Sequence, residues 1–327
     1  MGKGEKMGIA DAQCKSYLSD PERFADAFNY FVYGGRKVVL PGELARTDPT
    51  ELAFPGGDGR VAVQKYRDLL DLWVAMRDGR AVYAVLGIES QSYVSYAMPV
   101  RCMLYDAAQY DGRLAKTRKA HAAEGYEGLG RNERLTGFAR RDRLVPVVTL
   151  VLYFGPSEWD APTSLREMLG VHDAELLSLA QDYRINLVAP AGMAVGDFDK
   201  FGTGLGLVLK YCKFSKSKDE LGKIVKEDKR FRSLDEESAR LINVVTNSGL
   251  KLEAKEGEVN MCEAIDEMRR DAREEGVRRG VRRGKLMTLL GLVDGNVITI
   301  DQAASSANMS VADMRAELDA LRAVGAS

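Results

Sequence analysis

The sequence predicts an α/β fold: a mixed central sheet flanked by helices, followed by a helical C-terminal arm. Three observations carry that expectation. Short apolar runs such as Val82–Ile88 and Leu144–Pro156 are hydrophobic at successive positions, so a strand there must be covered on both faces. Amphipathic stretches such as "SDPERFADAFNYFVYGG", marked at both ends, read as helices. Near residue 250 the composition shifts toward long charged helix, which divides the chain into residues 1–250 and an arm of residues 251–327.

In chain order, "SDPERFADAFNYFVYGG" reads as a helix with both ends marked. Asp20 is placed to cap it, Pro21 occupies its first turn, and Gly34-Gly35 stops it. Phe24, Ala27, Phe28 and Phe31 form one apolar stripe, with Glu22 and Asp26 beside it. "TELAFPGGDGRVAVQKY" reads as a loop or hairpin entering a strand. In "VAVQKYRDLLDLWVAMRDGRAVYAVLGIESQ", Asp78-Gly79 between two apolar runs predicts a two-residue hairpin turn. A helix is expected after Pro99, a buried strand within Leu144–Pro156, and another strand in "RINLVAP". From Phe198 to Val245 the pattern turns helical, with a serine opening "SLDEESARLINVV". The arm begins with a long helix, Met261–Val293, and ends in a helix, a turn at Asn308-Met309 and a second helix capped by Ser310.

The totals exclude several function classes. Of 327 residues, 47 are basic and 48 acidic, so no global field draws the chain to a polyanion and any phosphate contact must come from a local patch. Four scattered cysteines and two histidines, with no C-x-x-C pair, argue against a zinc site and for a reducing compartment. The opening "MGKGEKMGIA" lacks a signal-peptide core, and no run approaches the ~18 apolar residues of a membrane span. A cytoplasmic protein without membrane attachment is the expectation. "GTGLGLVLK" follows no convincing strand, so it is expected to be a glycine-containing helix rather than a phosphate loop.

The hairpin raises the chemistry. If Arg77 faces Arg80, an unbroken ladder sets Asp68 opposite Glu89, with Cβ atoms ~5 Å apart. Gln91 shares the face of Glu89. Two opposed carboxylates at the edge of an apolar sheet repel, and burial increases the cost. A proton on one of them, an intervening arginine, or a hard divalent cation would each relieve it; strand-end acids facing water would avoid it. A single bulge would shift the register.

"YRDLL" followed after a hairpin by "IESQ" resembles the core of the PD-(D/E)XK nuclease superfamily. More closely, the chain resembles the bacterial Rpn family of recombination-promoting nucleases and putative transposases. "LSDPERFADAFNYFVY", "VQKYRDLL", "GIESQSYVSYAMPVRCMLYDAAQY", "VPVVTLVLYFGPSEWDAPTSLREML" and "INLVAP" follow that family's pattern in order. The resemblance implies a restriction-endonuclease-like core and Mg²⁺-dependent hydrolysis of DNA, with Mn²⁺ as a substitute. It assigns Asp68 and Glu89 to the metal and Gln91 to the place of the superfamily's lysine. Glu22 takes the position of a further, helix-borne acid. A glutamine can position a water but supplies no charge.

Arg278, Arg279, Arg282 and Arg283 on the long helix are candidate DNA contacts, and glycines at 276, 280 and 284 equally suit a self-associating helix. A homodimer fits cutting of both strands. The alternative reading is a non-cleaving nucleic-acid-binding or interaction protein that keeps the fold. The last helix is too acidic to read DNA well, which favours a cap or dimer element over a helix-turn-helix reader.

Overall fold

The computed structural model describes residues 3–46, 70–77, 80–171 and 173–325. They form an α/β protein with two compact units, residues 1–262 and 263–327. The sequence placed the change near residue 250; in the structure the first unit also includes the strands that follow that point.

Two helices open the first unit. α1 (Lys3–Leu18) had no counterpart in the sequence reading, yet Ala10, Cys14, Tyr17 and Leu18 recur at helical spacing and all are buried. α2 (Pro21–Tyr33) begins and ends where expected. The Asp20 carboxylate accepts from the amides of Glu22 and Arg23, and Gly34 takes the left-handed conformation that ends the helix. Phe24, Ala27 and Phe28 are buried, whereas Phe31 remains exposed.

The main sheet has the order β1 (Leu44–Arg46), β2 (Leu70–Arg77), β3 (Arg80–Gln91), β4 (Val147–Tyr153), β5 (Asn186–Val188). β1, β2 and β3 pair antiparallel, and β3, β4 and β5 pair parallel, so the sheet is mixed. The parallel pair needs a crossover, and α3 (Met98–Ala123) and α4 (Arg131–Thr136) lie in it. In β4, Leu150, Val151 and Leu152 are all fully buried, so both faces are covered as expected. One cover is α3, whose Met98 and Cys102 pack against Val151. The Asp106 carboxylate ties the same helix down by accepting from Thr149 (2.6 Å) and Tyr183 (2.7 Å). Burial raises Asp106 despite those donors, and burial together with Asp106 raises Tyr183.

The rest of the unit packs helices on helices. After α5 (Ala174–Leu179) come α6 (Leu205–Phe214), α7 (Lys218–Glu227) and α8 (Glu236–Thr246). α6 is the "GTGLGLVLK" segment, and a Cβ on Gly206 would meet the Phe198 carbonyl at 2.5 Å; the glycine permits close packing rather than anion binding. The cap of α8 is Asp235, which accepts from the Ser238 amide, not the serine at the start of the segment. Ser233 and Asp235 are two residues apart, and the strand β6 (Leu234–Asp235) separates Ser233 from the helix. β6, β8 (Glu258–Val259) and β7 (Ala254–Lys255) form a small second sheet.

Two aspartates fasten this layer. Asp26 on α2 accepts from the amides of Gly202 and Thr203 and from the Thr203 hydroxyl. Asp228 accepts from Lys210 (2.7 Å) and from Arg230 (2.6 Å). The Arg230 hydrogen bond holds Asp228 well below the usual carboxylate range, against an opposing effect of burial.

The second unit is built on α9 (Met261–Asp294), α10 (Ile300–Ala307) and α11 (Val311–Gly325). Leu286, Leu289, Ala303, Ala304, Met314 and Leu318 make its core. Asn308 ends α10 in the left-handed conformation and the Ser310 hydroxyl accepts from Asp313, as the sequence predicted. Among the described residues, no helix is long and apolar enough to cross a membrane.

Two predictions follow from these carboxylates. Asp26→Ala would strand two buried amides and a hydroxyl, so urea unfolding should show a loss of about 3 kcal/mol, with Asp26→Asn costing less. Because the folded pKa of Asp228 is depressed, its stabilisation is present above the ordinary aspartate value of about 4 and fades as pH falls toward the lower folded value. Asp228→Asn should therefore flatten the acid limb of a stability–pH curve, read by thermal melting.

Candidate functional site at the carboxyl end of β3

Glu89 and Gln91 lie at the carboxyl end of β3, between antiparallel β2 and parallel β4. β3, β4 and β5 end in the same direction there, the end of a parallel sheet where ligands usually bind. The hairpin itself is present, with Arg77 opposite Arg80, while Asp78 and Gly79 lie outside the described residues.

The ladder is not the unbroken one expected. Between Ala75 and Arg77 the register shifts, and Arg77 faces both Arg80 and Ala81. Extra residues on β3 at this bulge move the pairing by two positions, so Leu70 and not Asp68 stands opposite Glu89. A shift of two preserves strand parity, so even-numbered residues of β2 still face odd-numbered residues of β3. Asp68 itself lies outside the described residues.

Gln91 holds the register position beside Tyr153, as Glu89 does beside Val151. Its side chain is only 1% exposed, and its Nε2 donates to the Ser90 carbonyl at 2.8 Å. Its backbone carbonyl accepts from Phe154, which continues the parallel pairing past β4. Tyr153 packs edge-on against Trp159, with ring centroids 5.4 Å apart, and forms an aromatic wall at the strand end.

The acid that reaches this end from a helix is Asp11 on α1. Its Oδ1 accepts from the Ser92 hydroxyl at 2.6 Å and from the Ser92 amide at 3.3 Å. Glu22, the sequence candidate for such a role, is an exposed residue in the first turn of α2. Asp11 was missed because α1 was missed, although the buried spacing of Ala10, Cys14, Tyr17 and Leu18 marks the helix and places Asp11 beside that face. Cys14, three residues on, is no nucleophile: burial, reinforced by Asp11, raises its thiol pKa well above the usual range. Burial likewise pushes Cys212 up to about 12.

The other candidates sit on α9. Arg278 and Arg279 both pair with Glu275, and Arg282 pairs with Glu317 of α11 at 2.7 Å. Arg283 is exposed and, with Arg279 and Arg282, lines a groove between α9 and α11. Among the described residues, no three His, Cys, Asp or Glu side chains assemble as a metal-binding group. Comparisons with protein-family models, curated proteins and solved structures found no match to this chain.

Asp11→Ala removes the acceptor that fixes Ser92. The Ser92 amide should then exchange with deuterium faster, by the equivalent of about 2 kcal/mol for a charge-assisted hydrogen bond, while amides in the middle of β4 keep their protection.

Proposed function

We propose that the chain is a metal-dependent DNA endonuclease acting at the carboxyl end of β3. The observation that carries this reading is the position of Glu89 and Gln91 on the central strand of a mixed sheet, where parallel β3 and β4 end together and β2 brings Leu70, two residues after Asp68 in sequence, opposite Glu89. The order of a hairpin, a crossover helix and a parallel strand also supports the resemblance to the Rpn family and the PD-(D/E)XK superfamily.

The donor chemistry fits a hard cation. Asp68 and Glu89 are carboxylates, Asp11 adds a third at the same strand end, and oxygen-only sets suit Mg²⁺ or Mn²⁺ rather than zinc. Bound there, the ion would lower the pKa of a water and shield the phosphate. Asp68 and Glu89 hold it; Asp11, already anchored to Ser92, sets the position of the strand end. Gln91 orients a water by hydrogen bonding, and as a neutral amide it supplies no charge of its own. Glu22 stays the weaker candidate for the helix-borne acid. The arginines of α9 contribute sequence-independent phosphate contacts, and a homodimer would place two sites on the two strands.

A second reading has its own support. With Gln91 buried and its amide turned onto its own strand, a protein that binds nucleic acid without cutting is also consistent with the geometry.

Nicking of supercoiled plasmid separates the two. The nuclease reading expects nicking with Mg²⁺ or Mn²⁺, none with Ca²⁺, and a fall of roughly 100-fold or more in Asp68→Ala and Glu89→Ala, the scale seen when one group stabilising transition-state charge is removed. Absence of nicking under every metal, or equal activity in both variants, would overturn it.

A further inference from the structure

A second charged surface lies in the first unit. Between Arg118 and Arg143, at the end of α3 and the start of β4, the chain carries seven basic residues against four acidic ones. The excess is modest in number, and the hydrogen bonding leaves the arginines without direct carboxylate partners.

The acids at its centre are occupied by groups other than the arginines. The Asp142 carboxylate accepts from the Ala139 amide (2.6 Å) and bonds His121 Nε2 (2.8 Å). The Ala139 amide and His121 hold Asp142 below the usual carboxylate range. The Glu133 carboxylate accepts from two backbone amides, Gly130 (2.7 Å) and Arg140 (2.8 Å).

The guanidinium groups either face solvent or donate to neutral carbonyls. Arg118 donates to the Thr136 carbonyl, Arg134 to that of Leu129, and Arg143 to those of Arg140 and Asp142. Arg131, Arg140 and Arg141 are exposed. Among the described residues, none of these six forms an ion pair with a carboxylate. The loop that presents them is held in shape: Gly137 takes a positive φ of 68°, and a Cβ there would meet the Arg118 side chain at 2.6 Å. Exposed arginines without direct carboxylate partners suit a partner that is itself a repeating array of negative charge.

We propose that this arginine surface binds the phosphodiester backbone of duplex DNA. DNA presents about one negative charge per ~1.7 Å of axis, so several arginines can each meet a phosphate without reading a base. The proposal deepens the nuclease reading by giving the substrate a path, and it rests on that reading only for the choice of DNA as the polyanion. α3 starts beside the carboxyl end of β4 and ends at the arginine surface; its 26 residues span ~39 Å, close to one turn of B-DNA. A duplex lying along α3 would reach both the strand end and the arginines.

The test measures binding, not cutting, and uses the full chain in EDTA. Fluorescence anisotropy with a labelled duplex of about three helical turns is recorded across NaCl concentration for wild type, Arg140→Ala/Arg141→Ala and Arg278→Ala/Arg279→Ala. Both substituted loop residues are exposed, and circular dichroism confirms that the variants stay folded. The loop variant should lose affinity, and its slope of log affinity against log salt should become shallower by about 2, near 0.9 for each phosphate contact removed. The α9 variant, whose arginines already pair with Glu275, should change less. A loop variant with wild-type affinity and slope would overturn the proposal. Because Leu135 stands 76% exposed among these arginines, phosphatidylserine vesicles form a parallel arm. Loss of vesicle binding with DNA binding intact would overturn it in favour of a lipid surface. A protein that binds DNA through the loop but fails the plasmid assay would support this proposal while defeating the nuclease reading.

Discussion

The parallel pairing of β3 with β4, unbroken from Val85–Val147 to Gln91–Tyr153, is the constraint on which the rest of the first unit depends. Parallel neighbours cannot be joined by a tight turn, so the chain must leave the sheet, cross over and return. That crossover contains α3, and its return brings the Arg131–Arg143 segment to the start of β4. Parallel strands also need cover on both faces, which buries Leu150, Val151 and Leu152 together and carries burial along β3 to Gln91. The same constraint bears on the residue type at position 91. A lysine enclosed to the same degree would lose most of its hydration and require a paired carboxylate, whereas glutamine is neutral and satisfies part of its needs on the Ser90 carbonyl.

Much of the fold was legible in the sequence, and the errors have identifiable causes. The ends of α2 were readable because Asp20, Pro21 and Gly34 each act through local backbone geometry. The hairpin was readable from Asp78-Gly79 for the same reason, and the pairing of Arg77 with Arg80 agrees with it. Register was not. β3 is apolar at successive positions, so no alternation penalises a slip, and a bulge near Arg77 leaves no residue signature that the hydrophobic pattern would reveal. The cap of α8 was misplaced because Ser233 and Asp235 are both good caps; pairing of Leu234 with Val259, far away in sequence, decides which one begins the helix.

The candidate site was legible in part. Glu89 and Gln91 were found because they end an apolar strand. Asp11 was not, since its connection to Ser92 spans most of the first hundred residues and no local pattern encodes it. Its helix carries a buried stripe of small, aliphatic and aromatic residues, Ala10, Cys14, Tyr17 and Leu18, whose apolar periodicity is diluted by charged neighbours. Tyr17 shows why that stripe matters: its hydroxyl bonds Ser238 at 2.6 Å while Arg23 stacks on its ring, joining α1 and α2 to α8. The helix that presents Asp11 to the strand end is thereby fixed from its other end.

Charge offers the sharpest contrast between sequence and structure. The densest basic run, Arg278–Lys285, is the obvious candidate for contact with a polyanion. On a helix, however, residues three and four apart are neighbours, so Glu275 reaches both Arg278 and Arg279. The run is thus partly neutralised by its own geometry, and Glu317 removes more. In the irregular Arg118–Arg143 region the opposite holds. Loop backbone has amides without helical partners, and these compete for carboxylates: Ala139 takes Asp142, while Gly130 and Arg140 take Glu133. The acids keep their negative charge, but each one engaged in this way leaves a guanidinium without a direct ion-pair partner. Whether an arginine stays out of an ion pair therefore depends less on how many basic residues follow one another than on what the intervening acids are bonded to, and a chain with nearly balanced totals can still present a surface fit for phosphate.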